Sequence, residues 1–383
     1  MTDRISKSLI EIILSQNTQP FAKILILKYN YNSMSIKALK YLLPLTIYYT
    51  CWLSFSLTGW VTWLPMLYAW VAIPVAELFI HPNTKNLTAA EEELARHNKL
   101  YDNMLYAIVL AQYVALAYFL YSFKISNLLW WEKLGRVFSM GLLCGTFGIN
   151  VGHELGHRVN KFEQFLAKSL LLTSLYMHFF IEHNKGHHKH VATPEDPSSA
   201  RYNEPVYTFY FRTIFFSYLS AWKIANAELS KKGLSIFSLK NEMLQAHIIQ
   251  LALIGVIYYF FGGLILVYFL AAAFVGILLL ETVNYIEHYG LQRNETTEGK
   301  YERTMPHHSW NSSHVLGRIL LFELSRHSDH HYMASRKYQV LQHHIHAPQL
   351  PTGYPGSIIL SLFPPAWFYI MNKKIKTIKK QSE

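Results

Sequence analysis

Runs of roughly 16 to 18 residues free of Asp, Glu, Lys and Arg recur along the chain, close to the ~20 that a helix needs to cross ~30 Å of hydrocarbon. Six stand out, at 41–57, 60–76, 104–121, 137–152, 246–261 and 264–280. Two-residue turns ("TG" and "GG") near the run ends join the first two and the last two, which predicts helical hairpins. Three other apolar stretches are interrupted. Residues 165–181 contain Lys168 and His178, residues 207–222 contain Arg212, and the C-terminal "SIILSLFPPAWFYIM" holds two prolines in 15 residues. These predict helices lying in the interface or packed on the bundle. The expected fold is all-α, a polytopic membrane protein with about six transmembrane helices. It reads as a single domain over 1–383: an N-terminal segment 1–40, four spans in 41–152, an insertion 153–245, two spans in 246–281 and a C-terminal region 282–383.

Composition agrees, because 51% of the 383 residues are hydrophobic and only 15% are charged. Arg4, Lys7, Lys23, Lys28, Lys37 and Lys40 precede the first span, whereas the connectors on the other side carry only Lys124, Lys133 and Arg136. That asymmetry predicts cytoplasmic termini and long loops. It also accounts for most of the net charge of +11, which the C-terminal "KKIKTIKK" supplements as a match for anionic headgroups. No basic stripe interleaved with aromatics suggests nucleic acid. The first 20 residues hold Arg4, Lys7 and Glu11 without an apolar core, so no cleaved leader is expected. No internal repeat is evident. Cys51 and Cys144, the only cysteines, each fall inside a predicted span. Two distant thiols cannot hold an iron–sulfur cluster, so any electrons the protein uses must come from another protein.

Histidine breaks the apolar pattern. "NVGHELGHR" places His153 and His157 at i and i+4, neighbours on one helix face. In "IEHNKGHHKH", His183 and His187 repeat that spacing while His188 points about 100° further round, so one turn can address two metals. "NYIEHYG" contributes His288, and "RHSDHH" contributes His327, His330 and His331. Isolated histidines such as His97, His178 and His247 read as ordinary core or surface residues. Polar groups so close to the membrane need a compensating partner, and metal coordination supplies one. Nine imidazoles exceed what one ion accepts, so two ions with four or five each, and open positions, fit the count. Imidazole alone does not distinguish iron from copper, zinc or nickel. A shared site also places "HELGH" and "EHNKGHH" on one side of the membrane, so residues 165–181 cannot cross it.

"HELGH" satisfies the H-E-x-x-H pattern of zinc proteases as well, with Glu154 as general base, but that reading leaves six clustered histidines unexplained. Together, "NVGHELGHR", "EHNKGHHKHVATPEDPSSAR", "NYIEHYGLQR", "HSWNSSH" and "LSRHSDHHYMASRKYQVL" closely resemble the membrane-bound alkane 1-monooxygenases, and "LPTGYPGSIILSLFPPAWF" extends the likeness. The resemblance covers roughly residues 70 to 370. It implies a six-helix enzyme of the fatty acid desaturase and hydroxylase superfamily with a non-haem site of two iron ions and no haem or flavin. The implied reaction hydroxylates the terminal methyl of a medium or long n-alkane with O₂. Electrons would come from a rubredoxin served by an NADH-dependent reductase, and the enzyme would sit in a bacterial inner membrane with its site on the cytoplasmic side. By position, the implied ligands are the same nine: His153, His157, His183, His187, His188, His288, His327, His330 and His331.

An unactivated C–H bond requires a metal-bound oxidant made from O₂, since no side chain attacks it. Neutral ligands leave two divalent ions under-compensated, so Glu154, Glu182, Asp196, Glu281, Glu287 and Asp329 are expected just outside the ligands, accepting their free ring N–H groups. The substrate would enter from the bilayer. Trp52, Phe55, Trp60 and Trp63 could gauge its length, although aromatics near span ends usually form an interfacial belt. Lys189, Arg201, Arg293, Arg318, Arg326, Arg336 and Lys337 lie near the histidines and offer a basic docking face for an acidic donor. Within the same chemistry, the alternatives are a desaturase or a hydroxylase of aromatic or terpene methyls. A membrane metal transporter would carry ionisable residues within its spans, which here are nearly charge-free.

Overall fold

Five helices long and apolar enough to cross a membrane form the frame of the computed structural model, which describes residues 34–382. The basic residues at 4, 7, 23 and 28 lie outside the described residues. The 41–57 run yields a helix of only 12 residues, α1 (Leu45–Ser56), introduced by Pro44. It is followed by α2 (Gly59–Phe79), which opens with a 3-10 turn and contains a π turn at Tyr68–Ala72. A short α3 (Ala89–His97) begins with a capping box in which Thr88 and Glu91 satisfy each other's backbone N–H groups. The spans then continue as α4 (Lys99–Ile125) and α5 (Trp130–Gly156).

α5 is the central helix, with 89% of its apolar window buried, against 11% for α9 (Glu242–Phe261). Its neighbour α10 (Gly263–His288) approaches closely because small residues face each other. A Cβ on Gly145 would meet the Gly276 carbonyl at 2.9 Å, and one on Gly276 would meet Cys144 Cβ at 2.5 Å. α5 and α10 both end at the same face, which brings His153 and His288 to one end of the bundle. Arg136 is not part of a connector charge pattern. It is fully buried in α5 and donates to the carbonyls of Ser54 (3.0 Å), Leu57 (3.0 Å) and Ser122 (2.9 Å), closing the open C-terminal ends of α1 and α4.

Residues 165–181 do not form a crossing helix. α6 (Lys161–Leu172) stops after 12 residues and packs Ala167, Leu170 and Leu171 inward. The chain turns and re-enters as α7, a helix over 179–190 whose central turn, His183–His187, is π-helical. α8 (Val206–Lys231) buries Phe209, Thr213, Ser217, Ala221, Ala225 and Leu229 in a four-residue stripe and exposes Phe211 and Phe215, as an interfacial helix does. The C-terminal apolar segment breaks before Pro364 into α13 (Tyr354–Ser361) and α14 (Pro364–Ser382). Between α10 and α13 lie a small hairpin, β1 (Glu295–Thr297) with β2 (Lys300–Tyr301), and two short helices, α11 (Val315–Leu320) and α12 (His327–Tyr332). Cys51 and Cys144 are free and buried.

Candidate metal centre

The end of α5, α7, the last turn of α10 and α12 bring all nine predicted histidines together. They divide into two groups: His153, His157, His183, His188 and His330 in one, and His187, His288, His327 and His331 in the other. Within each group the Nε2 atoms converge. The separations are 2.9 Å for His153–His330, 3.0 Å for His183–His188, 3.1 Å for His188–His330, 3.2 Å for His187–His331 and 3.2 Å for His288–His327. Neighbouring donors at about 2.1 Å from one ion are separated by about 3 Å, so these distances match shared coordination. Buried His157 Nε2 has no hydrogen-bond partner among the described residues, as a nitrogen reserved for a metal would. Burial, then the neighbouring imidazoles, hold His157, His183, His188, His327, His330 and His331 well below the ordinary histidine range, which leaves their rings neutral with lone pairs free.

The partition departs from the helical reading of "EHNKGHH". In an α-helix His183 pairs with His187, but here His183 joins His188 and His187 turns to the other group. The π turn over His183–His187 is the cause, since i→i+5 winding moves the residue that overlies His183 one position along. In α12 the expected i, i+4 pair, His327 and His331, stays together while His330 crosses to the first group.

The six acidic residues take different positions. Asp196 lies 2.9 Å from His187 Nδ1, the nitrogen facing away from the group. Burial opposes its charge, but His187 and Ser199 hold it below the usual carboxylate range. Glu281 accepts from Tyr176 (2.8 Å), Thr213 (2.8 Å) and Asn284 (3.1 Å). Glu182 is packed against Gly186 with Oε1 unpartnered, and burial, then Asp196 and Glu281, push its carboxyl well above the usual range. Glu154 accepts from Arg158 (2.5 Å) and the Tyr338 amide (3.1 Å), both through Oε1, so the carboxylate that the protease reading would use as a base is paired with an arginine. Asp329 accepts from Arg336 (2.7 Å) and the Gln342 amide (2.9 Å) and meets His344 at 2.6 Å. Glu287 accepts from Tyr354 at 2.8 Å through Oε1 and places Oε2 3.2 Å from His327 Nε2.

The predicted basic face is largely consumed in the interior. Arg318 and Arg326 are buried with Glu323, Arg336 is held by Asp329, and Lys337 reaches Asp102 at 2.7 Å. Arg293 donates to the carbonyls of Glu302 and Lys189. Lys189 and Arg201 remain exposed. Sequence reasoning missed a further group, Glu302, His307 and His308, outside the nine. The Met305 amide donates to His308 Nδ1 (2.9 Å), so the ring proton resides on Nε2 and faces Glu302 at 3.3 Å, an ordinary histidine–carboxylate pair.

A narrow apolar cavity of about 60 Å³ lies within the bundle. Ile73, Leu142, Leu280 and Ile358 contribute to its wall, and Asn150, Leu324 and Tyr354 place it next to the ligand-bearing turns. Trp70 lines it, whereas Trp52, Phe55, Trp60 and Trp63 do not. Trp52 and Trp60 are exposed on the outer surface, the position of a belt.

The family described as "Fatty acid desaturase" matches residues 129–358. Alkane 1-monooxygenase 1 of Pseudomonas aeruginosa is 45% identical over 247 residues, covering 64% of this chain and 65% of that protein. Alkane 1-monooxygenase 1 of Alcanivorax borkumensis is 39% identical over 315 residues, covering 82% of this chain and 78% of its own length. A xylene/toluene monooxygenase hydroxylase component of Pseudomonas putida is 29% identical over 242 residues, 63% of this chain and 64% of that one.

Proposed function

We propose that this chain, which belongs to the alkane 1-monooxygenases of the fatty acid desaturase family, hydroxylates the terminal methyl of a medium or long n-alkane at a site of two non-haem iron ions. The observation that carries the reading is the division of nine convergent imidazoles into groups of five and four. The five-histidine and four-histidine groups would each hold one ion, and the pair would supply the O₂-derived oxidant that an unactivated C–H bond demands.

The remaining work belongs to the protein. Cavity residues such as Ile73, Leu142 and Ile358 bind an unbranched chain by burial and exclude water, worth about 0.8 kcal/mol per methylene. Asn150 and Leu324, each three residues before a histidine of the site, and Tyr354, which donates to Glu287, line that cavity and would set which end of the chain faces the ions. Asp196 orients His187 through its outer nitrogen, while the Ser309 hydroxyl (3.5 Å) and the His308 carbonyl face the outer nitrogen of His288.

The Lys/Arg asymmetry supports a cytoplasmic site in a bacterial inner membrane, and α1 with the turn before it would complete a sixth crossing. Electrons would come from a rubredoxin-type protein with its NADH-dependent reductase, because the two buried cysteines hold no redox centre. The test is product analysis in cells expressing the chain with such a donor and fed octane, hexadecane, xylene and a fatty acid. Primary alcohols from the alkanes support the assignment. Benzylic alcohol from xylene with no alkane product would move it to the aromatic-methyl hydroxylases, a class to which one relative's name belongs.

A further inference from the structure

Of the six acidic residues near the histidines, five have no contact with the inward-facing Nε2 atoms. Asp196 meets the outward Nδ1 of His187, Glu154 and Asp329 bond to arginines and backbone amides, Glu281 is enclosed by Tyr176, Thr213 and Asn284, and Glu182 lies against Gly186. Glu287 differs in kind. Its Oε2 is 3.2 Å from His327 Nε2, the same nitrogen that lies 3.2 Å from His288 Nε2. A carboxylate that only oriented His327 would sit at Nδ1, yet that atom is buried with no partner among the described residues. Glu287 therefore approaches the four-histidine group at its His327 edge, on the side of the ring that faces the group.

We infer that Glu287 is itself a metal donor, a fifth ligand that completes the four-histidine group with a carboxylate oxygen. The inference rests on the two-metal reading and extends it. Two features make the side chain suited to that task. Glu287 is 1% exposed and its side chain meets the His327 ring and the Tyr354 hydroxyl rather than a lysine or arginine, so an ionised carboxylate there would need a cation. Its second oxygen, Oε1, accepts from Tyr354, and the Trp310 amide donates to the Glu287 carbonyl at 2.8 Å, fixing carboxylate and backbone together. Each group would then have five donors. The two ions would still differ, one bound by nitrogen alone and the other by four nitrogens and one anionic oxygen, which favours the higher charge state on the second ion. Because Tyr354 also lines the apolar cavity, its hydroxyl connects the substrate space to this ligand.

The full chain in detergent or nanodiscs, loaded anaerobically with Co(II) and separately with enriched ⁵⁷Fe, provides the test. Wild-type protein should bind two metals; fewer than two in the wild type defeats the two-metal reading itself, a failure distinct from any result at Glu287. Glu287→Gln and the apolar Glu287→Leu should either lose one of the two ions or retain both with a changed ligand field at one: altered Co(II) d–d bands and one altered Mössbauer doublet of two. Asp196→Asn, a change at an outer nitrogen in the same group, serves as control and should weaken binding without altering coordination number. Tyr354→Phe should perturb the same doublet as Glu287→Gln and to a smaller extent. Two bound metals with wild-type spectra in both Glu287 variants, or loss of both metals together, overturns the inference.

Discussion

His187 and Asp196 form a directed pair: the carboxylate lies 2.9 Å from Nδ1 while Nε2, across the ring, lies 3.2 Å from His331 Nε2. The outer contact fixes the tautomer, so the inner nitrogen presents its lone pair. Asp196→Asn keeps the shape and removes the charge. Losses of this type weaken metal binding by about 10- to 100-fold. Metal retained after timed dialysis against a chelator should fall for one ion of the two, and retention equal to wild type would show that His187 needs no outer carboxylate.

Substitutions among the histidines should separate ligands from bystanders. His153→Ala, His187→Ala and His331→Ala should abolish turnover and lower the metal content. His97 is an exposed residue facing Glu93, and His247 bonds to Tyr218 (3.0 Å) and to the Met243 carbonyl in its own helix. His97→Ala and His247→Ala should leave turnover largely intact. Equal loss at all five positions would mean that the assay reports folding.

Arg336 and Lys337 were natural candidates for donor docking, but both side chains hold buried or half-buried acids. Charge reversal at Arg336 should therefore lower stability and metal content, because it leaves Asp329 uncompensated beside the third histidine motif. Lys189→Glu and Arg201→Glu should instead raise the apparent KM for an acidic donor with little change in kcat. That effect should shrink as salt rises, since screening acts over about 8 Å at physiological ionic strength. Steady-state kinetics across a salt series, with thermal midpoints measured alongside, distinguishes the two classes. A donor KM indifferent to both salt and Lys189 would remove the electrostatic docking idea.

Gly290, two residues after His288, has φ +69°, and a Cβ there would meet Ile375 of α14 at 2.5 Å. Gly290→Ala combines left-handed backbone strain with a clash, a loss of about 1–3 kcal/mol. It should lower the thermal midpoint and loosen the turn that follows His288. The double variant Gly290→Ala, Ile375→Ala removes the clash and should recover part of the loss. If it recovers nothing, backbone strain alone accounts for the effect.

Legibility differed sharply between chemistry and geometry. The nine histidines were readable because their types and short spacings carry the chemistry directly. The long spans were readable because a charge-free run of that length has few other places to be. The identity of partners was not readable: nothing in "RHSDHHYMASRKYQVL" announces that Arg336 folds back onto Asp329, or that Lys337 reaches Asp102 across 235 positions. Arg136 looked like a connector charge because its role, supplying three carbonyls, exists only when α1, α4 and α5 are assembled. The grouping of His183 with His188 was hidden for another reason. Spacing translates into angle through the α-helical period, and the π turn over His183–His187 changes that period with no signature of its own in the residue types.

That turn makes metal stoichiometry a matter of backbone counting. With π winding, one short stretch of α7 sends His183 and His188 to one ion and His187 to the other. Deleting Asn184 or Lys185 would return the stretch to ordinary winding with His188 still over His183, now at i+4, so the division of ligands would survive the loss of the extra residue. Ordinary winding at full length would instead bring His187 over His183 and superimpose ligands meant for separate ions, changing the two-ion site without the loss of any histidine.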